Sequence, residues 1–207
     1  MHDRIVGLYE ENAAAWAEAR GRTLHPGERE PFAYFLRALR PGAAVLDLGC
    51  GTGEPIGRLL LERGCRLTGL DSSPSLVALA RERLPEGEWL VGDMRALDLG
   101  RQFDAVLAWH SFFHLSIADQ RAVIPRFAAH AGPGAALCFT SGPRHGEAIG
   151  EWQGEPLFHA SLAPAEYARL LDENGFDVLR FTAGEPVAAE PSVWLARRRA
   201  TTCEGGR

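Results

Sequence analysis

The run Val45-Leu46-Asp47-Leu48-Gly49-Cys50-Gly51-Thr52-Gly53-Glu54-Pro55 constrains this chain more than any other stretch. Apolar residues lead into an acid and then a glycine at every second position. That pattern reads as a buried strand, a tight loop and a helix with Pro55 at its first position. Glycines at 49, 51 and 53 remove the Cβ atoms that would hold a ligand off the backbone, and they allow positive φ where the chain turns back. Backbone amides and a helix start then face a small molecule. A dinucleotide fold wants a third glycine three residues after the second, and Glu54 stands there instead. A pyrophosphate is disfavoured beside that carboxylate, whereas a cationic ligand with a free amino group is not.

With 207 residues, 46% of them hydrophobic, the chain suffices for one globular domain with a full core. A formal charge of −5 and a pI near 5.8 argue against a broad polyanion-binding face, so nucleic acid is not an expected partner. Cys50, Cys65, Cys138 and Cys203 form no Cys-x-x-Cys pair and read as reduced thiols. Met1-His2-Asp3-Arg4 leads into a polar amphipathic stretch, and no apolar run approaches membrane-spanning length. The expectation is a soluble, cytoplasmic protein, monomer or homodimer.

Ile5, Leu8, Tyr9, Asn12 and Trp16 recur at helical spacing, as do Phe32, Phe35, Leu36 and Leu39 after Pro31, which predicts two helices before the first strand. A polar link, Arg20 to Gly27, joins them. Further strands are predicted at 66–70, ending in Asp71; at 88–91, ending in Gly92-Asp93-Met94; and at 103–108, opening into Trp109-His110-Ser111-Phe112-Phe113-His114. An acid at the tip of the second strand suits two vicinal ribose hydroxyls, because one carboxylate can accept both hydrogen bonds. Helices are predicted after Pro55, ending at Gly64, and from Ser73-Pro74. His114 stands two positions before Ser116, which makes a capping box with Asp119, so His114 fits a structural role as well as a catalytic one. Pro125 is expected to bend or break the helix that follows. Gly132-Pro133-Gly134 then reads as a turn into a strand over 135–140. Residues 141–162 read as a long irregular loop, rich in aromatic and polar residues, that caps the acceptor side. A helix from Pro164 to Gly175 and strands at 176–182 and 191–197 follow, and the polar tail after Arg199 is expected to fray.

Asp-Leu-Gly-Cys-Gly-Thr-Gly at 47–53 resembles the first motif of class I methyltransferases that use S-adenosylmethionine. The following Glu-Pro-Ile resembles a bacterial group of small stand-alone enzymes. The later landmarks keep the family's order over nearly the whole chain. The resemblance implies an α/β, Rossmann-like three-layer sandwich, with a seven-stranded, mostly parallel sheet and an antiparallel C-terminal hairpin. It implies one domain over 1–207: a helical lid at 1–42, a cofactor-binding half at 43–140, and an acceptor-side cap with the hairpin at 141–199.

The implied cofactor is S-adenosylmethionine, leaving as S-adenosylhomocysteine, and the implied reaction is in-line methyl transfer to a small molecule, with no metal. The resemblance places Asp47, Gly49, Cys50, Gly51 and Gly53 at the cofactor, together with Asp71 and Ser72 at its ribose, Asp93 and Met94 at its adenine, and Trp109. Tyr9 and Arg20 join them if the first helix is a lid; otherwise they are a packing residue and a solvated charge. Trp16 reads as packing. His110 and His114 are candidate bases, and Phe113, Trp152 and His159 are candidate substrate contacts. Related sequences often carry a small polar or acidic residue where His110 stands, so roles assigned there by analogy are open. Three alternatives are a non-catalytic relative that keeps the cofactor, another transferase of the sulfonium cofactor with Glu147, Glu151 and Glu155 around a polyamine, and a nicotinamide-dependent oxidoreductase, which Asp93-Met94 does not suit.

Overall fold

The computed structural model describes residues 4–184 and 191–200. Five strands, β1 (Ala44–Leu48), β2 (Arg66–Asp71), β3 (Glu88–Val91), β4 (Phe103–Ala108) and β5 (Ala131–Ser141), pair in parallel. Two more, β6 (Gly146–Trp152) and β7 (Glu155–Ser161), form a separate antiparallel pair. Then β8 (Phe176–Thr182) and β9 (Ser192–Arg198) close the main sheet as an antiparallel hairpin, giving seven strands in the order β3-β2-β1-β4-β5-β9-β8. The helices are α1 (Arg4–Glu11), α2 (Ala13–Arg20), α3 (Pro26–Ala38), α4 (Ile56–Glu62), α5 (Pro74–Arg83), α6 (Ile117–His130) and α7 (Pro164–Glu173). None is long and apolar enough to cross a membrane.

Successive side chains of a strand point to opposite faces, and here both faces are covered. Leu46, Leu48, Val106, Ala108, Leu137 and Phe139 pack with Val123, Ile124 and Phe127 of α6 and Tyr167 and Leu171 of α7. Val45, Ala105, Leu107 and Cys138 pack on the other side with Phe32 and Phe35 of α3, Leu60 of α4 and Val77 and Ala80 of α5. The strands are therefore near-continuous apolar runs, and polar groups collect beyond their carboxyl ends. Cys50, Cys65 and Cys138 are buried free thiols; Cys203 lies outside the described residues.

Six local expectations change. The first helix is two: Asn12 (φ −117°, ψ 21°) separates α1 from α2, and its side chain donates to the Leu8 carbonyl at 2.9 Å, competing with the helical ladder. The next helix begins at Pro26, not after Pro31, because the Glu28 carboxylate accepts the His25 N–H at 2.7 Å and caps its first turn. Pro55 precedes α4 instead of starting it. Helix α6 runs through Pro125, and Gly132-Pro133-Gly134 lies within β5 as an irregularity: Phe103 pairs with Ala131 but Ala105 with Ala136. Residues 146–161 form the β6–β7 hairpin, not an irregular loop, turned by Gln153 (φ 54°) and Gly154 (φ 80°).

Helix α1 is fastened across the carboxyl end of the sheet. Glu10 accepts from Ser73 Oγ (2.5 Å), Ser75 Oγ (2.6 Å) and Ser75 N (3.1 Å) at the start of α5. Ile5 packs with Phe158 and Ala160 of β7. Tyr9 Oη lies 3.0 Å from His114 Nε2, and His114 Nδ1 lies 2.9 Å from the Phe158 carbonyl. That carbonyl needs a donor, so Nδ1 carries the proton and Tyr9 donates to Nε2.

Glycine 53, at φ +74°, has no room for a side chain: an added Cβ would lie 2.7 Å from Leu84 Cδ1 and 2.7 Å from Trp89. Gly53→Ala should cost about 1–3 kcal/mol by overpacking, read as a lower thermal unfolding midpoint. His114 gives a pH-dependent counterpart. Burial pushes its imidazole from 6.5 down to about 3. Between those values the unfolded chain binds a proton that the folded chain refuses, so stability contributed by the neutral ring is lost as pH falls. Relative to His114→Asn, the wild type should lose up to about 1.4 kcal/mol per pH unit below 6.5 in chemical denaturation.

Candidate active site

The cleft lies beyond the carboxyl ends of β1, β2, β3 and β4, where open α/β sheets bind ligands. Its two halves enclose about 780 and 840 Å³ of atom-free space, open mouths included, and share Tyr9, Trp16, Gly49, His110 and His114.

The first half is built on the glycine loop. Gly49 and Cys50 donate to the Leu70 carbonyl at 2.7 and 3.2 Å, which stitches the loop to β2. Gly51 donates to Asp71 Oδ2 at 2.8 Å and Ser73 to Oδ1 at 2.9 Å. A carboxylate has about four acceptor sites, so beside its backbone donors Asp71 can still accept from a ligand hydroxyl. Burial raises the Asp71 pKa against those backbone bonds. Asp93 and Met94 lie across this half from Asp71 and Ser72. Arg95 grips the Asp93 carboxylate, Nε at 2.9 Å and Nη2 at 2.6 Å; burial opposes ionisation there, and those bonds hold the pKa below its usual value. Trp16 closes the side: an added Cβ at Gly51 would lie 2.6 Å from its ring.

The second half is lined by Asp47, Cys50, Arg20, Trp109, Phe113 and His159, with Glu28 and Glu54, which sequence reasoning did not single out as site residues. Asp47 is 2% exposed, and burial with the neighbouring Asp71 charge pushes its carboxyl up to about 7. Burial likewise raises the Cys50 thiol, which is therefore un-ionised. Glu54 Oε1 pairs with Arg58, while Oε2 is buried without a partner. Glu28 is the opposite case. Burial would raise it, but bonds from His110 and Trp109 and the Arg20 charge bring it down to about 2. Its Oε1 lies 2.8 Å from His110 Nε2, 3.0 Å from Trp109 Nε1 and 2.9 Å from Arg20 Nη2.

Of the residues singled out from sequence, Gly53 and Trp152 line neither half: Gly53 packs on Leu84 and Trp89, and Trp152 stacks on Tyr9 at 6.2 Å. His114 reaches both halves, yet both its ring nitrogens are engaged. His110 takes a left-handed backbone (φ 53°), uncommon for a residue with a Cβ, and its N–H donates to Thr140 Oγ1 at 2.8 Å. Phe113 and His159 face each other at 5.2 Å, and burial lowers the His159 pKa.

Residues 45–134 match the methyltransferase-domain family. A dTDP-3-amino-3,6-dideoxy-alpha-D-glucopyranose N,N-dimethyltransferase of Streptomyces fradiae is 36% identical over 118 residues, 56% of this chain and 46% of that protein. A magnesium-protoporphyrin O-methyltransferase of Rhodobacter capsulatus is 31% identical over 138 residues, 64% of this chain and 60% of that one. The chain spans about half the length of the first curated relatives it matches, 46% in the Streptomyces protein. Among solved structures, an amino pentose methyltransferase from Micromonospora echinaspora with bound S-adenosylmethionine superposes with a TM-score of 0.66 at 25% identity, over 89% of this chain and 95% of that one. Residues 45–134 thus match the methyltransferase-domain family, and the described residues share the fold of S-adenosylmethionine-dependent methyltransferases.

Proposed function

We propose that this protein methylates a small molecule, with the nucleoside of S-adenosylmethionine in the first half of the cleft, its amino-acid end reaching into the second beside the acceptor, and that the acceptor atom is an amine nitrogen on a sugar-like molecule. One observation carries the reading: a side-chain-free loop and Asp71 define a nucleoside-sized recess that meets, at His110, a second recess lined by aromatic and titratable groups. The residues fit the cofactor. Glu54 Oε2, buried and unpartnered among the described residues, and the nearly buried Asp47 suit an ammonium group. Asp71 suits the ribose, and Asp93 with Met94 suits the adenine. The sugar amine is favoured by the sugar N,N-dimethyltransferases among the similar proteins.

The bound cofactor supplies a methyl group on a sulfonium that carries its own leaving group. The chain supplies position, which in well-oriented reactions contributes on the order of 7–11 kcal/mol. Trp16 and Tyr9 wall the junction of the two halves against water, and Phe113 with His159 offers the acceptor an aromatic face. His110 is the group at that junction able to hold a proton removed from the acceptor; His114 is committed to Tyr9 and Phe158.

Calorimetric titration with S-adenosylmethionine and S-adenosylhomocysteine tests the cofactor, and absence of binding by folded protein overturns the reading. Asp71→Ala should weaken binding by about 1–3 kcal/mol. Asp47 sets a pH dependence. Its carboxyl titrates at about 7 in the free protein, and a bound ammonium favours the ionised form. Affinity should therefore fall as pH drops below that value, by up to about tenfold per unit, and Asp47→Asn should flatten the curve. Incubation with dTDP-3-amino-3,6-dideoxyglucose and methyl-labelled cofactor tests the acceptor class; transfer to a carboxylate or hydroxyl acceptor but no amine would discard the amine.

A further inference from the structure

A close contact between Glu28 and His110 crosses the second half of the cleft, from the first turn of α3 to the residue just past β4, with Oε1 2.8 Å from Nε2. Glu28 does not need His110 to compensate its charge. Arg20 Nη2 bonds both carboxylate oxygens at 2.9 and 3.2 Å, Trp109 Nε1 donates at 3.0 Å, and the His25 N–H donates at 2.7 Å. The consequence of the 2.8 Å contact falls on the imidazole. Glu28 is ionised, held at about 2 with burial outweighed by its donors. A carboxylate only accepts and repels a lone pair facing it, so at 2.8 Å it favours the proton on Nε2, and a neutral ring of that form presents its lone pair at Nδ1. No protein group among the described residues bonds Nδ1, and the His110 side chain, 31% exposed, borders both halves. The left-handed backbone at His110, anchored by Thr140, is the kind of local strain that collects at functional sites.

We propose that Glu28 is a positioning residue that locks His110 in the Nε2–H form, so that Nδ1 faces the acceptor as the proton-accepting atom. This rests on the methyl-transfer reading. The acceptor nitrogen's lone pair forms the bond to the methyl carbon while the carbon–sulfur pair departs with sulfur. The N–H bond then breaks, its pair stays on nitrogen, and the proton passes to Nδ1. The imidazolium keeps its Nε2–H on Glu28 and returns the Nδ1 proton to water.

The test uses the full chain with isotope-labelled histidine and S-adenosylhomocysteine as the probe, in long-range proton–nitrogen correlation spectra with His110 assigned through His110→Asn. The wild type should show the Nε2–H form alone. Glu28→Ala should give a mixture of forms, and Glu28→Gln, which keeps one accepting oxygen, should restore part of the preference. An Nδ1–H ring in the wild type, or an unchanged single form in Glu28→Ala, overturns the proposal; if Glu28→Ala does not fold, the wild type and Glu28→Gln decide. On the amino-sugar nucleotide, Glu28→Ala should lower kcat on the order of 100-fold with KM for S-adenosylmethionine unchanged. A raised KM at constant kcat would mark the carboxylate as structural. Calorimetry on the same samples separates the two readings, since wild type that binds no S-adenosylhomocysteine sinks methyl transfer and leaves the tautomer result standing.

Discussion

Everything around the cleft depends on backbone that carries no side chains. A Cβ at Gly49 would sit 2.3 Å from Ser111 Cβ, one at Gly51 2.6 Å from Trp16, and one at Gly53 2.7 Å from Trp89. The loop is where the end of β4, helix α2 and the β3 edge all come to rest. Ser111 uses the proximity to donate to the Leu48 carbonyl at 2.6 Å, tying β4's exit to β1. Glycine here is required less for turning than for letting three neighbours touch main chain at once, with positive φ at all three positions as the second requirement.

Two buried carboxylates show how environment divides roles. Asp47, with no donor on its side chain among the described residues, is pushed up to about 7 by burial and by Asp71. Glu28, buried among four donating groups, is brought down to about 2. The same chemical group sits near half-protonation at neutral pH in one place and is a fixed anion in the other. Sequence spacing does not distinguish the two; donor count does.

The central strands were legible because burial on both faces turns each into a short apolar run, and the one expected at 103–108 matches the observed strand. Asp71, Asp93 and the glycines were legible because they stand at strand ends. The β6–β7 hairpin was not: five of the seven residues in Gly146–Trp152 are exposed, so no apolar alternation marks the strand, although Gln153-Gly154 is a fitting two-residue turn. Glu28 was hidden differently. It lies 81 residues from Trp109, and within the sequence it is one charge among several just after a polar link. Its cap on α3 is local, three residues from His25, but nothing local could reveal partners supplied by β4's exit.

The fastening of α1 bears on how anything leaves the cleft. The helix is eight residues long, bonded through Glu10 to the start of α5 and through Tyr9 to His114, and packed through Ile5 on β7. An isolated helix of that length is not stable in water, so once these contacts part it has little reason to remain helical. Parting of these three side-chain anchorages would free one short segment beside the cleft while the sheet and its two cores stay intact, a local opening separate from global unfolding.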